Sequence, residues 1–287
     1  MIIVDINQIM ISNLMVQING RQALELSEDL VRHMVLNSLR AHNKKFRKEY
    51  GEMVIACDSG NVWRKQIFPN YKAGRKANRE KSEHDWDAIF NMLATIKNEI
   101  KTFMPYKVIE VESCEADDII ATLIKKVKNM IIPEHKKKIL ILSGDKDFIQ
   151  LQKYDNVKQY SPITKKLVDG VDPKVYIKEH VLKGDKSDGV PNVLSPDHTF
   201  TDELRQRPLT SKKLESILAQ DIDELDDEIK RNYQRNDKLI NLDNIPKTLE
   251  SEILNSFNEA SYGDRSGLLN YFIEKRLTSL TENIGEF

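Results

Sequence analysis

Four carboxylates lie within one seven-residue stretch of this sequence, Glu112-Ser113-Cys114-Glu115-Ala116-Asp117-Asp118. The apolar residues that follow recur at helical spacing, so the stretch is predicted to open a helix. A helix N-terminus mildly favours negative charge, and capping is the simplest explanation of any single acid there. Several carboxylates this close together nonetheless repel one another unless cations neutralise them. The stretch therefore becomes a candidate metal site if other segments bring further carboxylates to it.

Further carboxylates stand at the ends of other predicted strands. Short apolar, β-branched runs over 2–6, 53–57, 108–111 and 139–142 are too short for helices and suit buried strands. Ligands bind outside the carboxyl ends of the strands in open α/β sheets. The acids at these ends are Asp5, Asp58, the group Glu115 to Asp118, Asp145 and Asp147. Four strands that each deliver acids to one edge predict a shared site there.

Helical patterns separate these strands, over 27–50 and 85–103, and a fifth strand is predicted over 157–160. This alternation predicts an α/β fold, with a mostly parallel central sheet flanked by helices, over residues 1–170. Residues 171–287 are predicted as a helical C-terminal subdomain. Its helices are expected near 173–182, 211–219, 222–235, 247–257 and 266–279. A loop over 183–191 adds two more acids, Asp185 and Asp188.

The composition narrows the chemistry that these acids can do. Only two cysteines are present, without a CxxC pair, and the histidines show no His-x-x-x-His spacing. Any metal is therefore expected to be held by oxygen, which points to Mg²⁺ or Mn²⁺. The sequence has neither a signal peptide nor a run of about 20 apolar residues, so we expect a cytoplasmic protein without membrane contact.

The formal net charge of −1 hides a segregation of charge. The segment from about 61 to 81 is basic, is interrupted by proline and glycine, and carries interleaved aromatic residues. We predict an exposed loop or loosely helical arch here, rather than part of the core. Lys72 and Arg75 in this segment would supply cations to a phosphate whose charge develops during reaction.

A pool of carboxylates suits two divalent cations about 3.5–4 Å apart, which together can activate a water and stabilise a leaving 3′-oxygen. Phosphodiester hydrolysis is the reaction that needs this arrangement. Three other functions are alternatives, and the residues argue against the first of them. A haloacid-dehalogenase-type phosphatase would require Asp-x-Asp at the first strand, where this chain has Asp5-Ile6-Asn7. A PIN-type ribonuclease shares the clustered acids, and a non-catalytic DNA-binding homologue is expected to have lost some of them.

The motifs resemble those of the structure-specific 5′-nucleases, the family of the flap endonucleases and of the 5′-nuclease domains of bacterial DNA polymerase I. Within that family the chain looks most like the ribonucleases H of T-even phages. The resemblance covers nearly the whole chain. It is carried in order by Val4-Asp5, Cys57-Asp58, Trp63-Arg64, Tyr71-Lys72-Ala73-Gly74-Arg75, Glu115-Ala116-Asp117-Asp118, Gly144-Asp145-Lys146-Asp147 and Gly184-Asp185-Lys186-Ser187-Asp188.

The resemblance implies roles for particular residues. Asp5, Asp58, Glu115 and Asp117 would hold a first metal, with Asp118 close by as a further or water-linked ligand. Asp145, Asp147, Asp185 and Asp188 would make or support a second site. Lys72 and Arg75 would be catalytic, together with Asp5, Asp58, Asp117 and Asp145. Nucleic-acid contacts would come from Arg64, Lys65, Tyr71, Lys72, Arg75, Lys76, Lys183 and Lys186.

The resemblance also implies cofactors and partners. The cofactors would be two Mg²⁺ ions, for which Mn²⁺ can substitute. The substrates would be DNA and RNA–DNA hybrids, cut at 5′ ends during replication by a monomeric enzyme. Single-strand-binding protein and a sliding clamp are the implied protein partners. A helix-hairpin-helix-type DNA-binding element is expected over about 183–200, although residues 192–200 lack the glycine turn of the family's second hairpin.

Overall fold

The protein is described from a computed structural model, in which residues 1–19, 27–129 and 138–287 are placed. A six-stranded sheet forms its centre. The strands are β1 (Ile2–Asp5), β2 (Met53–Cys57), β3 (Lys107–Glu110), β4 (Ile139–Leu142), β5 (Val157–Ser161) and β6 (Lys166–Leu167). They lie in the order β3-β2-β1-β4-β5-β6, and every pair is parallel except β5 and β6. The predicted parallel sheet is confirmed, with one short antiparallel edge strand that was not predicted.

Two apolar cores flank the sheet, because successive strand residues point to opposite faces. Ile2 and Val4 of β1 enter one core, whereas Ile3 enters the other. The helices that cover the sheet are α1 (Ile6–Asn19), α2 (Glu28–Tyr50), α5 (Trp86–Phe103) and α6 (Ala116–Asn129). Side-chain caps fix the starts of α2 and α5, since Ser27 and Asp85 accept hydrogen bonds from backbone N–H groups of the first turn.

The first helix was not predicted. Helix α1 begins at Ile6, so the first strand ends one residue earlier than the apolar run suggests. Its buried residues Ile6, Ile9, Met10 and Leu14 follow helical spacing. Asp5 is therefore the last residue of β1 and directly precedes helix α1, at the edge of the sheet.

The segment 61–81 is only partly the exposed arch that was predicted. It contains the short helices α3 (Arg64–Ile67) and α4 (Gly74–Glu80). Trp63, Phe68 and Tyr71 are buried, and the last two pack against residues of the C-terminal half. The first half of the segment thus belongs to the core, because its aromatic side chains find apolar partners far away in sequence. The second half, from Ala73 to Lys81, is mostly exposed.

The C-terminal half is helical, as predicted. Its helices are α7 (Pro173–Lys183), α8 (Ser211–Leu218), α9 (Asp227–Ile240), α10 (Lys247–Glu259), α11 (Leu268–Glu274) and α12 (Thr278–Thr281). The helix predicted over 222–235 lies about five residues later, and the one predicted over 266–279 is two helices. Side chains of α10 and α11 complete the two cores of the sheet. The division at residue 170 stays a prediction.

A tight hairpin follows α7. Asp185 and Val190 exchange two backbone hydrogen bonds of 2.8 and 2.7 Å. Gly184 and Gly189 have φ of 67° and 73°, and a Cβ on Gly189 would stand 3.0 Å from the carbonyl oxygen of Asn70. Glycine is required here because the hairpin turns sharply and lies directly against the arch segment. Residues 191–210 contain no helix or strand, so a second helix does not follow the hairpin directly.

None of the helices placed in these three ranges has the length and apolar content needed to cross a bilayer.

Candidate active site

Three acids from three elements meet at the carboxyl ends of the central strands. Asp5 ends β1 and accepts hydrogen bonds from the N–H of Gln8 at 3.1 Å and from Ser143 Oγ at 3.2 Å. Asp58 follows β2 and accepts one from the N–H of Ala116 at 2.7 Å. Asp117 lies in the first turn of α6. These contacts join β1, β2, β4 and α6 at one edge, which is where the sequence predicted a shared site.

The carboxylates at this edge repel one another. Burial, and next the charge of Asp58, raise the pKa of Asp5 to about 7. Burial and the charge of Asp145 raise the pKa of Asp117 well above its usual value, with Glu115 and Asp5 adding to the effect. Carboxyl groups are therefore held close together and partly away from water, where their ionised forms are destabilised. A cation is the group that such an arrangement stabilises.

This repulsion predicts that the metal-free protein loses stability as the pH rises. A carboxyl group whose pKa is about 7 when folded and about 3.8 when unfolded holds its proton more tightly in the native state. The free energy of unfolding should thus fall between about pH 4 and pH 7, by on the order of 4 kcal/mol. Asp5→Asn should flatten this dependence and stabilise the metal-free protein at pH 8. Thermal unfolding in EDTA and in Mg²⁺ measures both effects, and Mg²⁺ should stabilise the wild type more at pH 8 than at pH 6. A metal-free stability that is constant or rises over this range would contradict the prediction.

A second cluster surrounds Glu115. The ammonium of Lys72 bonds to Glu115 and lies 3.5 Å from Asp188 Oδ2. The hydroxyl of Tyr71 lies 3.0 Å from Glu115 Oε2 and 2.7 Å from Asp188 Oδ2. Arg75 donates to Asp188 Oδ1 at 2.6 Å. Burial by itself would raise the pKa of Asp188, but the charges of Lys72 and Arg75 outweigh it and hold that pKa below its usual value.

Lys72 is therefore close to acids from both predicted metal sites. Its backbone supports this position, because its N–H donates to the carbonyl oxygen of Asp188 at 2.7 Å. It adopts a left-handed conformation with φ of 56°. This conformation is unfavourable in free energy for a residue other than glycine, and the hydrogen bond to the hairpin offsets part of that cost. The arch and the hairpin together fix where the ammonium can reach.

The geometry argues against a metal-ligand role for Asp118 and against a nucleic-acid contact by Arg64. Asp118 is fully buried, and the guanidinium of Arg64 binds its two carboxylate oxygens at 2.8 and 3.0 Å. Trp63 Nε1 adds a bond of 3.1 Å. Arg64 also donates to Glu115 and to the carbonyl oxygen of Leu239, and is 2 % exposed. Both residues thus serve to orient Glu115 rather than to face metal or substrate.

Removing Arg64 should destabilise the fold. Arg64→Met leaves Asp118 buried without its cationic partner and leaves Glu115 with Lys72 alone. Breaking a buried ion pair in this way costs about 3–5 kcal/mol. The neighbouring Lys65 is exposed, so Lys65→Met should change the free energy of unfolding by less than about 0.5 kcal/mol. Denaturant unfolding of both variants makes the comparison. Equal stabilities would show that the Arg64 contacts contribute little.

A third cluster joins the acids after β4 to the hairpin. Asp145 caps the 3₁₀ helix Lys146–Lys153 by accepting from the N–H of Asp147 at 2.9 Å. His180 Nε2 lies 2.9 Å from Asp147 Oδ1 and 3.7 Å from Asp185 Oδ2. One ligand atom from each of Asp147, His180 and Asp185 lies within 4.8 Å of the others. The sequence predicted oxygen ligands alone, and the structure places one imidazole beside two of these acids. A single histidine at the end of the helix before the acidic loop carries no ligand spacing that a sequence pattern would reveal.

The remaining predicted nucleic-acid contacts divide by exposure. Lys65, Lys76, Lys183 and Lys186 are exposed, as a substrate contact requires. Tyr71 is 3 % exposed and holds two carboxylates, so the prediction that it contacts nucleic acid is not supported. The family resemblance implied this contact, but burial against the C-terminal helices directs the Tyr71 ring inwards.

Two arginines that the sequence analysis did not single out extend the basic surface. A cavity of about 730 Å³ is lined by Lys183, Arg205 and Arg207, among others. Arg205 makes no hydrogen bond or ion pair with any residue that the structure describes. The loop around it is held by buried polar contacts, including Arg207 N–H to Ser195 Oγ at 2.9 Å and Asn192 Nδ2 to the Arg207 carbonyl at 2.9 Å. This surface could hold an anion.

The donor set of the site fits divalent cations. Carboxylate oxygens from several elements match the ligands of Mg²⁺ and Mn²⁺, and one imidazole lies beside them. Among the residues that the structure places, no cation lies as close to Asp5 or Asp117 as Lys72 lies to Glu115. Bound metal would supply charge neutralisation and Lewis acidity at this edge.

Comparison with known proteins gives matches over the whole chain. Residues 2–182 match the family model described as the 5′-3′ exonuclease N-terminal resolvase-like domain. Residues 171–287 match the model described as T4 RNase H, C terminal. The chain is 34% identical to a ribonuclease H of Enterobacteria phage T4, an alignment that covers 99% of this chain and 95% of that protein.

Two further relatives are informative. The chain is 31% identical to the flap endonuclease Xni of Shewanella piezotolerans, over 52% of this chain and 56% of that protein. Its fold is similar to that of a T5 5′-exonuclease solved with divalent zinc ions, with a TM-score of 0.62 and 16% identity over 90% of this chain and 98% of that chain.

Proposed function

Because the chain belongs to the 5′-3′ exonuclease family, we propose that it is a metal-dependent nuclease that hydrolyses phosphodiester bonds at the 5′ ends of nucleic-acid strands. Relatives carry the names ribonuclease H, 5′-3′ exonuclease and flap endonuclease. The substrates that we propose are RNA primers annealed to DNA and DNA strands in nicked or flap structures. Neither a phosphatase nor a non-catalytic DNA-binding role is favoured by these relatives.

One observation carries the proposal. Acids from the ends of β1, β2 and β4, from the first turn of α6 and from the hairpin after α7 lie at a single edge of the sheet. Electrostatic coupling joins Asp5 to Asp58 and Asp145, and joins Asp145 to Asp185 and Asp188. A structural role would not require so many carboxylates in one place, and the cost of their repulsion is offset when cations bind.

Two groups of these acids are proposed to hold two Mg²⁺ ions, for which Mn²⁺ can substitute. The first group is Asp5, Asp58, Glu115 and Asp117, and the second is Asp145, Asp147, Asp185 and Asp188. Bound ions would lower the pKa of water and stabilise the leaving oxygen in an in-line displacement. The residues of the chain fix the positions of these groups: Gln8 and Ser143 orient Asp5, and Arg64 and Tyr71 orient Glu115.

Lys72 and Arg75 are proposed to bind the scissile phosphate. Both cations reach from the arch to Asp188, and the Arg75 side chain is about half exposed. A phosphate that enters beside Asp188 would offer them oxygen acceptors at the same place. Charge-assisted bonds from a preorganised ammonium and guanidinium stabilise the extra negative charge of the transition state.

The basic surface that Lys183, Arg205 and Arg207 form is proposed to bind the phosphates of the duplex. Arg205→Ala should weaken duplex binding a few-fold and reduce the dependence of log Kd on log salt by about one unit, because one phosphate contact is lost. Lys158 on β5 is equally exposed but lies outside this surface, so Lys158→Ala is the matched control. Fluorescence anisotropy of a labelled duplex at several salt concentrations gives both quantities. An unchanged salt dependence would remove Arg205 from the interface.

Membership of the 5′-3′ exonuclease family also supports proposals about the oligomeric state, location, partners and domains of the enzyme. We propose that the enzyme works as a monomer on replicating DNA in the cytoplasm. Single-strand-binding protein and a sliding clamp are the proposed protein partners. Residues 1–170 would form the nuclease core, with the arch over 61–81, and residues 171–287 would form a helical subdomain that carries the hairpin element.

A panel of labelled substrates tests the proposal. RNA–DNA hybrid, flap, gapped duplex and single strand, each labelled at the 5′ or the 3′ end, are cut in Mg²⁺ and in EDTA. Short 5′-labelled products from structured substrates, and none in EDTA, are expected. Product lengths separate exonuclease from endonuclease action. Cleavage that persists in EDTA, or that proceeds from 3′ ends, would overturn the proposed function.

A further inference from the structure

We propose that His180 is a metal ligand, and that it makes the site of Asp147 and Asp185 a mixed nitrogen and oxygen site that prefers Co²⁺ to Mg²⁺. The inference rests on the proposed function, because it concerns the cation that the acidic edge would hold. It departs from the purely carboxylate site that the sequence predicts.

The distances between the candidate ligand atoms fit one ion. Ligands at about 2.2 Å from a cation are about 3 Å apart when adjacent in an octahedron and about 4.4 Å apart when opposite. His180 Nε2 lies 2.9 Å from Asp147 Oδ1 and 3.7 Å from Asp185 Oδ2. All three atoms lie within 4.8 Å of one another. A cation can therefore bind all three after only small side-chain movements.

The orientation of Asp185 also favours this arrangement. Its Oδ1 is occupied, since it accepts hydrogen bonds from Ser187 N–H and Ser187 Oγ at 2.7 Å each and from Asp188 N–H at 3.2 Å. The other oxygen, Oδ2, is the one that faces His180. The hairpin thus fixes one carboxylate oxygen and presents the second, which is how ligating carboxylates are commonly oriented.

The histidine is held in place by its helix. It lies in the last turn of α7, and its carbonyl oxygen accepts the hydrogen bond from Gly184 N–H that ends the helix. Tyr176, one turn earlier, lies against its ring with centroids 5.4 Å apart. Asp147 belongs to the 3₁₀ helix Lys146–Lys153 and Asp185 to the hairpin, and His180 lies between them. The imidazole is therefore directed into the space between the two acids rather than towards solvent.

A nitrogen donor changes which metal the site prefers. Mg²⁺ is a hard cation that binds oxygen and keeps its waters, whereas imidazole suits later first-row metals. His180 should therefore strengthen the binding of Co²⁺ far more than the binding of Mg²⁺. Its loss should lower the affinity for Co²⁺ at this site by about 10-fold or more.

Spectroscopy of the bound metal tests the proposal without substrate. Electron spin echo envelope modulation of the full-length protein with Mn²⁺ should show coupling to ¹⁴N, and His180→Gln should abolish it. His198 is exposed, so His198→Gln is the control and should retain the coupling. Titration calorimetry should show a loss of about 10-fold in Co²⁺ affinity for His180→Gln and less than about 3-fold for Mg²⁺.

The opposite results are equally clear. Mn²⁺ that binds without ¹⁴N coupling, or affinities for Mg²⁺ and Co²⁺ that fall equally, would show that His180 only orients Asp147 by a hydrogen bond. Circular dichroism of His180→Gln verifies that the fold is intact. Metal binding is measured apart from cleavage, so the two proposals can fail separately. Absence of ¹⁴N coupling would contradict the role of His180 and leave the proposed nuclease function intact. Absence of cleavage would contradict the nuclease function, and the ¹⁴N coupling would still decide the role of His180.

Discussion

Asp145→Asn and Asp117→Asn should each abolish cleavage while leaving nucleic-acid binding largely in place. The two acids come from different elements, yet burial and next the charge of Asp145 raise the pKa of Asp117. Each substitution removes a negative charge that is proposed to hold metal. Since metal ions supply several kcal/mol of transition-state stabilisation, the single-turnover rate should fall by about 10³-fold or more.

The control for these variants is Asp169→Asn, which changes an exposed acid outside the sheet edge. Its rate should equal that of the wild type. Binding is measured separately in Ca²⁺ or EDTA by anisotropy, so that loss of chemistry is not confused with loss of substrate. Both asparagine variants should be at least as stable as the wild type without metal, because a repelled charge is removed. Turnover near the wild-type rate in Mg²⁺ by either variant would refute the assignment of the edge as the active site.

Lys72→Met should lower the single-turnover rate by about 10²–10³-fold with little effect on binding. The ammonium lies beside Glu115 and Asp188, where it is proposed to meet the scissile phosphate. Preorganised donors of this kind contribute about 3–4 kcal/mol to transition-state stabilisation. Methionine keeps most of the apolar length of the side chain and removes only the charge. An unchanged rate would remove Lys72 from the mechanism.

The same variant has an effect on metal binding that a purely structural role would not produce. In the metal-free protein the ammonium neutralises Glu115, which is proposed to bind the first ion. Loss of this competing cation should tighten Mg²⁺ binding, so affinity rises while rate falls. Titration calorimetry measures the first and quenched-flow cleavage the second. Lys158→Met, at an exposed position on β5, should change neither. A Mg²⁺ affinity that falls together with the rate would instead indicate that the variant distorts the site.

Much of the fold follows from local patterns. The strands at 53–57 and 139–142 and the helices that begin at Ser27 and Asp85 were predicted with their bounds, because apolar period and side-chain caps are encoded locally. Helix α1 was not predicted, because its apolar residues follow the first strand without a turn or cap between them. The position of α9 was wrong by about five residues for a related reason: the acidic residues before it form a 3₁₀ turn rather than the first turn of the helix.

The features of the candidate site likewise divide into those that the sequence predicted and those that it did not. The sequence by itself determined that acids from four strand ends would share one edge, because strand polarity in a parallel sheet fixes where each strand ends. It could not determine which side chains turn inwards. Arg64 and Tyr71 appear in a basic, aromatic segment typical of a substrate surface, yet packing against the C-terminal helices buries both.

Only the tertiary structure decided the partners of the remaining residues. His180 meets Asp147 across 33 positions of sequence, and Lys72 meets Asp188 across 116. No local period records such contacts, since they depend on how α7 and the hairpin pack against the sheet edge. The opening acids show the result: Asp117 remains at the shared edge, whereas Asp118, one residue later on the same helix, faces Arg64 in the core. Adjacent residues on a helix point about 100° apart, so packing rather than composition assigned their roles.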